Sequence, residues 1–217
     1  MTIKTVLFDL DGTLTDSKPG IINSLNYSIK KLGLPQKSAA TLQLFIGPPL
    51  LASYEKYFGL TALQAEDALK AYREYYVEQG IFENSVYQGV PAMLAALQQT
   101  GYQIFMTTSK PEKYAEQICE HFGLATYFNG IYGASMDEKR AAKSEIIAYA
   151  LNAEKLTQPA KIAMVGDREN DINGAHDHHL QSVAVTYGFG SITELSAAKP
   201  TKFIDQPEKL LPTLQLL

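Results

Sequence analysis

The stretch Val6-Leu7-Phe8-Asp9-Leu10-Asp11-Gly12-Thr13-Leu14 decides how the rest of the chain is read. Val6, Leu7 and Phe8 make a continuous apolar run, the pattern of a strand buried on both faces of a parallel sheet. The chain is therefore expected to leave the core at Asp9 and to turn sharply at Gly12. Ligands of open α/β sheets bind just beyond the carboxyl ends of the strands, where Asp9 and Asp11 would stand. Taken alone, Asp11-Gly12 is equally consistent with plain turn chemistry, and the remaining residues decide between the two.

Working outward, the segments on either side of residue 86 have different rhythms. From Gly20 to Leu32 apolar residues fall at Ile21, Ile22, Leu25, Ile29 and Leu32, the spacing of an amphipathic helix that Gly33 stops. Helical patterns continue through Leu42–Ile46, the rigid break Gly47-Pro48-Pro49, Leu50–Phe58 and Leu63–Val77. So much helix after one strand exceeds an ordinary crossover and reads as an inserted helical domain, residues 17–85. From Tyr87 onward strands alternate with helices. Strands are expected at Gln103–Thr107, Phe128–Gly133, Lys161–Val165, Gln181–Thr186 and Phe203–Ile204, with a terminal helix over Pro207–Leu217. Such alternation implies right-handed βαβ units, hence an α/β fold with a doubly wound, Rossmann-like parallel-sheet core made of residues 1–16 and 86–217.

Composition excludes several classes. In 217 residues, 46% hydrophobic and 19% charged content is that of a folded domain rather than a disordered or collagen-like chain. A net charge of −4, with no dense Lys/Arg block, argues against a nucleic-acid polymer or an anionic membrane as partner. The single cysteine, Cys119, has no disulfide or zinc spacing and falls in step with Ala115, Ile118 and Phe122 as core. Asp9 interrupts the first apolar run, and no stretch reaches the ~18 residues a membrane span needs. A cytoplasmic address is expected.

Four strand ends or loops offer polar groups that can meet: Asp9 with Asp11, Thr108 with Ser109, Lys143, and Asp167 with Asp171 in Gly166-Asp167-Arg168-Glu169-Asn170-Asp171. Carboxylates gathered at one sheet edge repel unless a cation joins them, and an all-oxygen set suits Mg²⁺. Lys143 brings a fixed positive charge and Thr108 a hydroxyl donor, both suited to a phosphoryl group. Each residue also has a plainer reading. Lys143 shares a basic turn with Lys139 and Arg140, Asp171 can cap a helix, and His176, His178 and His179 read as a solvated helix face.

With DLDGT at Asp9–Thr13, the Thr108-Ser109 strand end, Lys143 and GDREND at Gly166–Asp171, the chain resembles the haloacid dehalogenase superfamily. The helical insert resembles the cap of its phosphoglycolate phosphatase-like and 5′-nucleotidase-like branch. The resemblance implies a Mg²⁺-dependent phosphatase that hydrolyses a small phosphate monoester, phosphoglycolate or a nucleoside 5′-monophosphate, through an aspartyl-phosphate. Asp9 would be the nucleophile and Asp11 the general acid and base. Asp9, the main-chain carbonyl of Asp11, Asp167 and Asp171 would hold the metal. Thr108, Ser109, Lys143 and Gly12 would serve the phosphoryl group, and Gly47, in the Ile46–Leu50 turn of the cap, would face the substrate. A sugar phosphomutase of the same fold is the alternative within the enzymes, and a phospho-accepting signalling protein the alternative from another class.

Overall fold

The computed structural model of the protein describes residues 2–137 and 139–217. In chain order, β1 (Thr5–Phe8) leads through β2 (Thr15–Asp16) into α1 (Lys18–Leu32), α2 (Ala39–Gln43), α3 (Leu50–Phe58) and α4 (Ala62–Tyr75). The last of these winds into a π-helical turn over Tyr76–Gly80. Then follow β3 (Ser85–Val86), α5 (Val90–Gln99), β4 (Gln103–Pro111), α6 (Glu112–His121), β5 (Gly130–Ala134), α7 (Lys143–Ala153) and β6 (Ile162–Gly166). The chain closes with α8 (Glu169–Asp177), β7 (Gln181–Val185), α9 (Ile192–Ala198), β8 (Lys202–Ile204) and α10 (Leu210–Leu214).

Two compact units result: Asp16–Ser85, and Val86–Leu217 together with the opening segment through Thr15. In the helical unit, α1 buries Ile21, Leu25 and Ile29 on one face and ends at Gly33 in the left-handed region. Thr61 and Gln64 form a reciprocal capping box that starts α4. Tyr54 is buried in this unit, its hydroxyl 2.6 Å from that of Ser28.

In the other unit, six parallel strands lie in the order β5-β4-β1-β6-β7-β8. The four residues of β1 are all buried, as a strand covered on both faces requires. Leu7, Phe105, Ile162 and Met164 pack with Ile147 of α7 and Ala175 of α8 into one apolar cluster. Full burial of a side chain the size of Leu7 contributes about 1.5–3 kcal/mol. The chain builds outward from β1 through β4 to β5, then crosses to β6 on the other flank, so β1 stands at the topological switch point.

Three of the differences from the sequence expectation have a readable cause. β4 continues to Pro111 rather than ending at Thr107, with a register shift between Thr108 and Pro111, because the polar end of a strand carries no apolar signature. α2 begins at Ala39, ahead of the apolar run, because Ser38 caps it by accepting from Thr41 N. The terminal helix is short: a 3₁₀ turn at Pro207–Lys209 precedes α10, which ends at Leu214. Cys119 lies in the core, and burial beside Glu116 and Glu120 pushes its thiol up to about 12. Among the described residues no helix is long and apolar enough to cross a membrane.

Candidate active site

The acids after β1 and β6 meet because those strands are neighbours in register, Phe8 beside Val165. The Asp9 N–H donates to Val165 O at 3.0 Å, so Asp9 and Asp167 leave the sheet at one edge. On the other side of β1, Phe8 pairs with Met106, which brings Thr107 and Thr108 to the same edge.

Lys143, buried at the start of α7, joins three of these segments. Its Nζ lies 2.8 Å from Asp9 Oδ1, 2.8 Å from Asp171 Oδ1 and 2.8 Å from the Thr107 carbonyl oxygen. The contacts with Asp9 and Asp171 are both ion pairs, and the one with Asp9 is also a directed hydrogen bond. Burial opposes the ammonium charge, but Asp171 and Asp9 outweigh it and hold the Lys143 pKa above its ordinary value. Asp171 also caps α8, its Oδ2 accepting from Arg168 N at 3.0 Å. The capping reading of this residue is therefore realised, and its other oxygen faces Lys143. Burial raises its carboxyl to about 6, with Lys143 pulling down and Asp9 pushing up.

Asp167 is fully buried and held by neutral donors, Thr13 Oγ1 on Oδ1 at 3.2 Å and the Phe189 N–H on Oδ2 at 2.7 Å. Burial, then Asp171 and Asp9, push its pKa well above the carboxylate range. Gly12 has φ +84°, and a Cβ there would stand 2.2 Å from Asp167 Oδ2, so this glycine makes room for the acid. Gly188 closes on the same group from the loop after β7: its added Cβ would meet Gly12 O at 2.3 Å and Asp167 Cβ at 2.4 Å. In that loop the Tyr187 hydroxyl donates to Thr13 O at 3.1 Å.

The residues fit a divalent cation. Asp9, Asp167 and Asp171, all buried, each offer an oxygen, and these atoms lie within 4.8 Å of one another. Across the site, the carboxylates of Asp9, Asp11, Asp167 and Asp171 face the ammonium groups of Lys110 and Lys143. Ionised, these groups leave a surplus of two negative charges, which a hard divalent ion with oxygen ligands would neutralise. Burial is the main reason the Asp167 and Asp171 carboxyl pKa values are raised, and the neighbouring carboxylates push the same way.

Thr108 is buried and its Oγ1 accepts from Lys110 N at 3.2 Å, while Ser109 is half-buried beside it. Gly47 belongs to the helical unit, in the turn before α3, with φ +105°. His176 and His179 are exposed as expected, but His178 is half-buried, its Nε2 2.8 Å from Ser144 O. Sequence reasoning missed two features. Lys110 is buried with its Nζ 2.8 Å from Asp11 Oδ2. Its signal was the two-residue strand period that puts it on the face of Thr108. The Tyr187–Gly190 loop braces Asp167, and its signal was a Gly-x-Gly two residues beyond a buried strand.

The model of the haloacid dehalogenase-like hydrolase family matches residues 6–185, which spans the insert and the segments that carry Asp9, Asp11, Thr108, Lys143, Asp167 and Asp171. The chain belongs to that family. Within it, the chain is 39% identical over 91% of its length to a 5′-nucleotidase of Pseudomonas aeruginosa, covering 89% of that protein. It is 38% identical over 85% of its length to the tyrosine-protein kinase PtkA of Mycobacterium tuberculosis, of which it spans 62%. A crystal structure of a predicted phosphatase from Clostridium acetobutylicum superposes with a TM-score of 0.95 at 40% identity, each chain covering all of the other. Membership in this hydrolase family, with phosphatases among its relatives at this identity, makes the protein a phosphatase-type enzyme.

Proposed function

We propose that the protein is a Mg²⁺-dependent phosphatase that hydrolyses a small phosphate monoester through an aspartyl-phosphate, with nucleoside 5′-monophosphates and phosphoglycolate as the substrate candidates. The observation that carries this reading is the buried set Asp9, Asp167 and Asp171, with the Asp9 and Asp171 carboxylates both 2.8 Å from Lys143 Nζ. Asp9 is the nucleophile: its carboxylate oxygen forms a bond to phosphorus as the bond to the leaving oxygen breaks. Asp11 gives that oxygen a proton and later takes one from the attacking water, which releases phosphate and regenerates Asp9. Lys143 and Thr108, with Ser109 and the Gly12 turn, hold the transferring group. Mg²⁺, held by Asp9, Asp167, Asp171 and the Asp11 carbonyl, would supply charge stabilisation for the phosphoryl oxygens. The Ile46–Leu50 turn with Gly47 is the proposed specificity segment of the helical unit.

A panel of phosphate monoesters assayed for phosphate release with Mg²⁺ and with EDTA tests the reading. Asp9→Asn is expected to lower kcat by at least about 10⁴-fold, the scale of removing a nucleophile, with the fold unchanged by circular dichroism. Unchanged release in that variant refutes the covalent route. The likeness to PtkA favours a second reading, in which a tyrosine hydroxyl rather than water accepts the phosphoryl group. Transfer of label from γ-labelled ATP to protein tyrosine, with no phosphate release from the panel, would select it.

A further inference from the structure

Lys110 is a buried cation that the phosphoryl chemistry above leaves without a role. Its Nζ lies 2.8 Å from Asp11 Oδ2, and the two side chains keep only 6% and 11% of their surface exposed. Burying an ammonium group is costly without a compensating acceptor, and Asp11 Oδ2 supplies one. Lys110 leaves β4 within its register shift, its N–H tied to Thr108 Oγ1 at 3.2 Å, so the base of the side chain is fixed too. The other Asp11 oxygen, Oδ1, is buried and receives no hydrogen bond among the described residues. One oxygen of the carboxyl group is thus anchored and the other is left over.

We propose that Lys110 is a positioning residue for proton transfer: by holding Asp11 Oδ2 it presents Asp11 Oδ1 as the atom that exchanges protons with the leaving oxygen and with water. The inference rests on the phosphatase reading. In the first half-reaction the Asp9 oxygen–phosphorus bond forms, the phosphorus–leaving oxygen bond breaks, and the proton on Asp11 Oδ1 passes to that oxygen. In the second, the water oxygen–phosphorus bond forms, a water proton returns to Oδ1, and the bond from phosphorus to Asp9 breaks. Lys110 keeps its proton throughout.

Leaving-group dependence separates this role from direct phosphoryl binding. An alkoxide needs a proton to depart, whereas p-nitrophenolate is a weak base and departs without one. The kcat/KM value covers steps only through aspartyl-phosphate formation, so the second half-reaction does not enter. In the full-length protein with Mg²⁺, Lys110→Met should lower kcat/KM for the best alkyl ester of the panel by about 10²-fold, the lower end of general-acid contributions. For p-nitrophenyl phosphate the loss should stay within about tenfold, well below that contribution. Lys110→Arg should recover part of the alkyl-ester rate, and Lys110→Met should add no further loss in an Asp11→Asn background. Equal losses on both esters, a full additional loss on top of Asp11→Asn, or no loss at all would each overturn the positioning role. If Lys110→Met fails to fold, Lys110→Gln carries the same comparison. A wild-type protein that releases phosphate from neither ester removes the phosphatase reading and this inference together. Wild-type turnover that Asp9→Asn abolishes, alongside an unselective Lys110→Met effect, rejects the positioning role alone.

Discussion

The ends of β1 and β6 both close on acids, yet they are balanced in different ways. After β1 each carboxylate meets an ammonium group, Asp9 with Lys143 and Asp11 with Lys110, both at 2.8 Å. After β6, Asp167 makes no ion pair among the described residues and relies on the Thr13 hydroxyl and the Phe189 N–H, while Asp171 shares Lys143 with Asp9. Neutral donors satisfy hydrogen-bonding capacity but do not cancel charge, so the repulsion accumulates at β6. Burial first, and then the neighbouring carboxylates, raise the pKa values of Asp167 and Asp171. Both acids after β1 have an ammonium partner, whereas Asp167 after β6 has hydrogen bonds from neutral donors alone.

Changing Asp167 attacks this contrast at its widest point. Mg²⁺ at about 100 times its Kd would stabilise the folded protein by about 2.7 kcal/mol. For a chain of this size that raises Tm by about 5–10 °C. Asp167→Asn should lose most of this rise while its metal-free Tm increases, because a buried charge has gone. A Mg²⁺-dependent Tm rise that survives in the variant would place the cation elsewhere.

Titrating the metal-free protein sharpens the same comparison. Asp171 titrates near 6 and Asp167 lies well above the carboxylate range, so below neutrality the folded state binds more protons than the unfolded state. Stability then rises as pH falls, by on the order of 1–3 kcal/mol between about pH 7 and pH 5. Thermal melts in EDTA across that range should show the rise, and Mg²⁺ should flatten it. A metal-free Tm that falls from pH 7 to pH 5 would mean that the β6 acids are already balanced.

The smallest effect is expected at the link between the two ends. Thr13→Val removes the hydroxyl that donates to Asp167 Oδ1. The loss of about 1 kcal/mol expected of such a bond lowers Tm by about 2–4 °C. Thermal melts in EDTA read it, and an unchanged Tm would show that the Phe189 N–H alone secures Asp167.

Much of the fold was legible because a parallel strand buried on both faces is an unbroken apolar run, as in Val6–Phe8 and Ile162–Val165. Acids that end such runs stand out against them, which is how Asp9 and Asp167 drew attention. Lys143 stood among Lys139 and Arg140, and only the family resemblance separated it from them. Lys110 was missed for a different reason: a lysine after Thr108-Ser109 reads as the solvated end of a strand, and the strand period that puts it on the face of Thr108 does not say that the face is buried there. The role of Asp171 was posed as cap or ligand, while a carboxylate has two oxygens and the structure uses one on Arg168 N and turns the other toward Lys143.

By itself the sequence determined the alternation of strand and helix, the long helical insert, and which acids follow buried strands. Each of these is written in local spacing, and periodicities of two and near four residues survive without knowledge of partners. Tertiary structure alone decided which ammonium group meets which carboxylate. Lys143 lies 134 residues from Asp9, and the two meet only because α7 starts beside the edge where β1 ends. It also decided that the opening stretch carries two separately balanced acids, because Asp11 draws its partner from β4 and Asp9 draws its partner from α7. Charge balance in a buried site depends on distance through space, and spacing along the chain does not encode it.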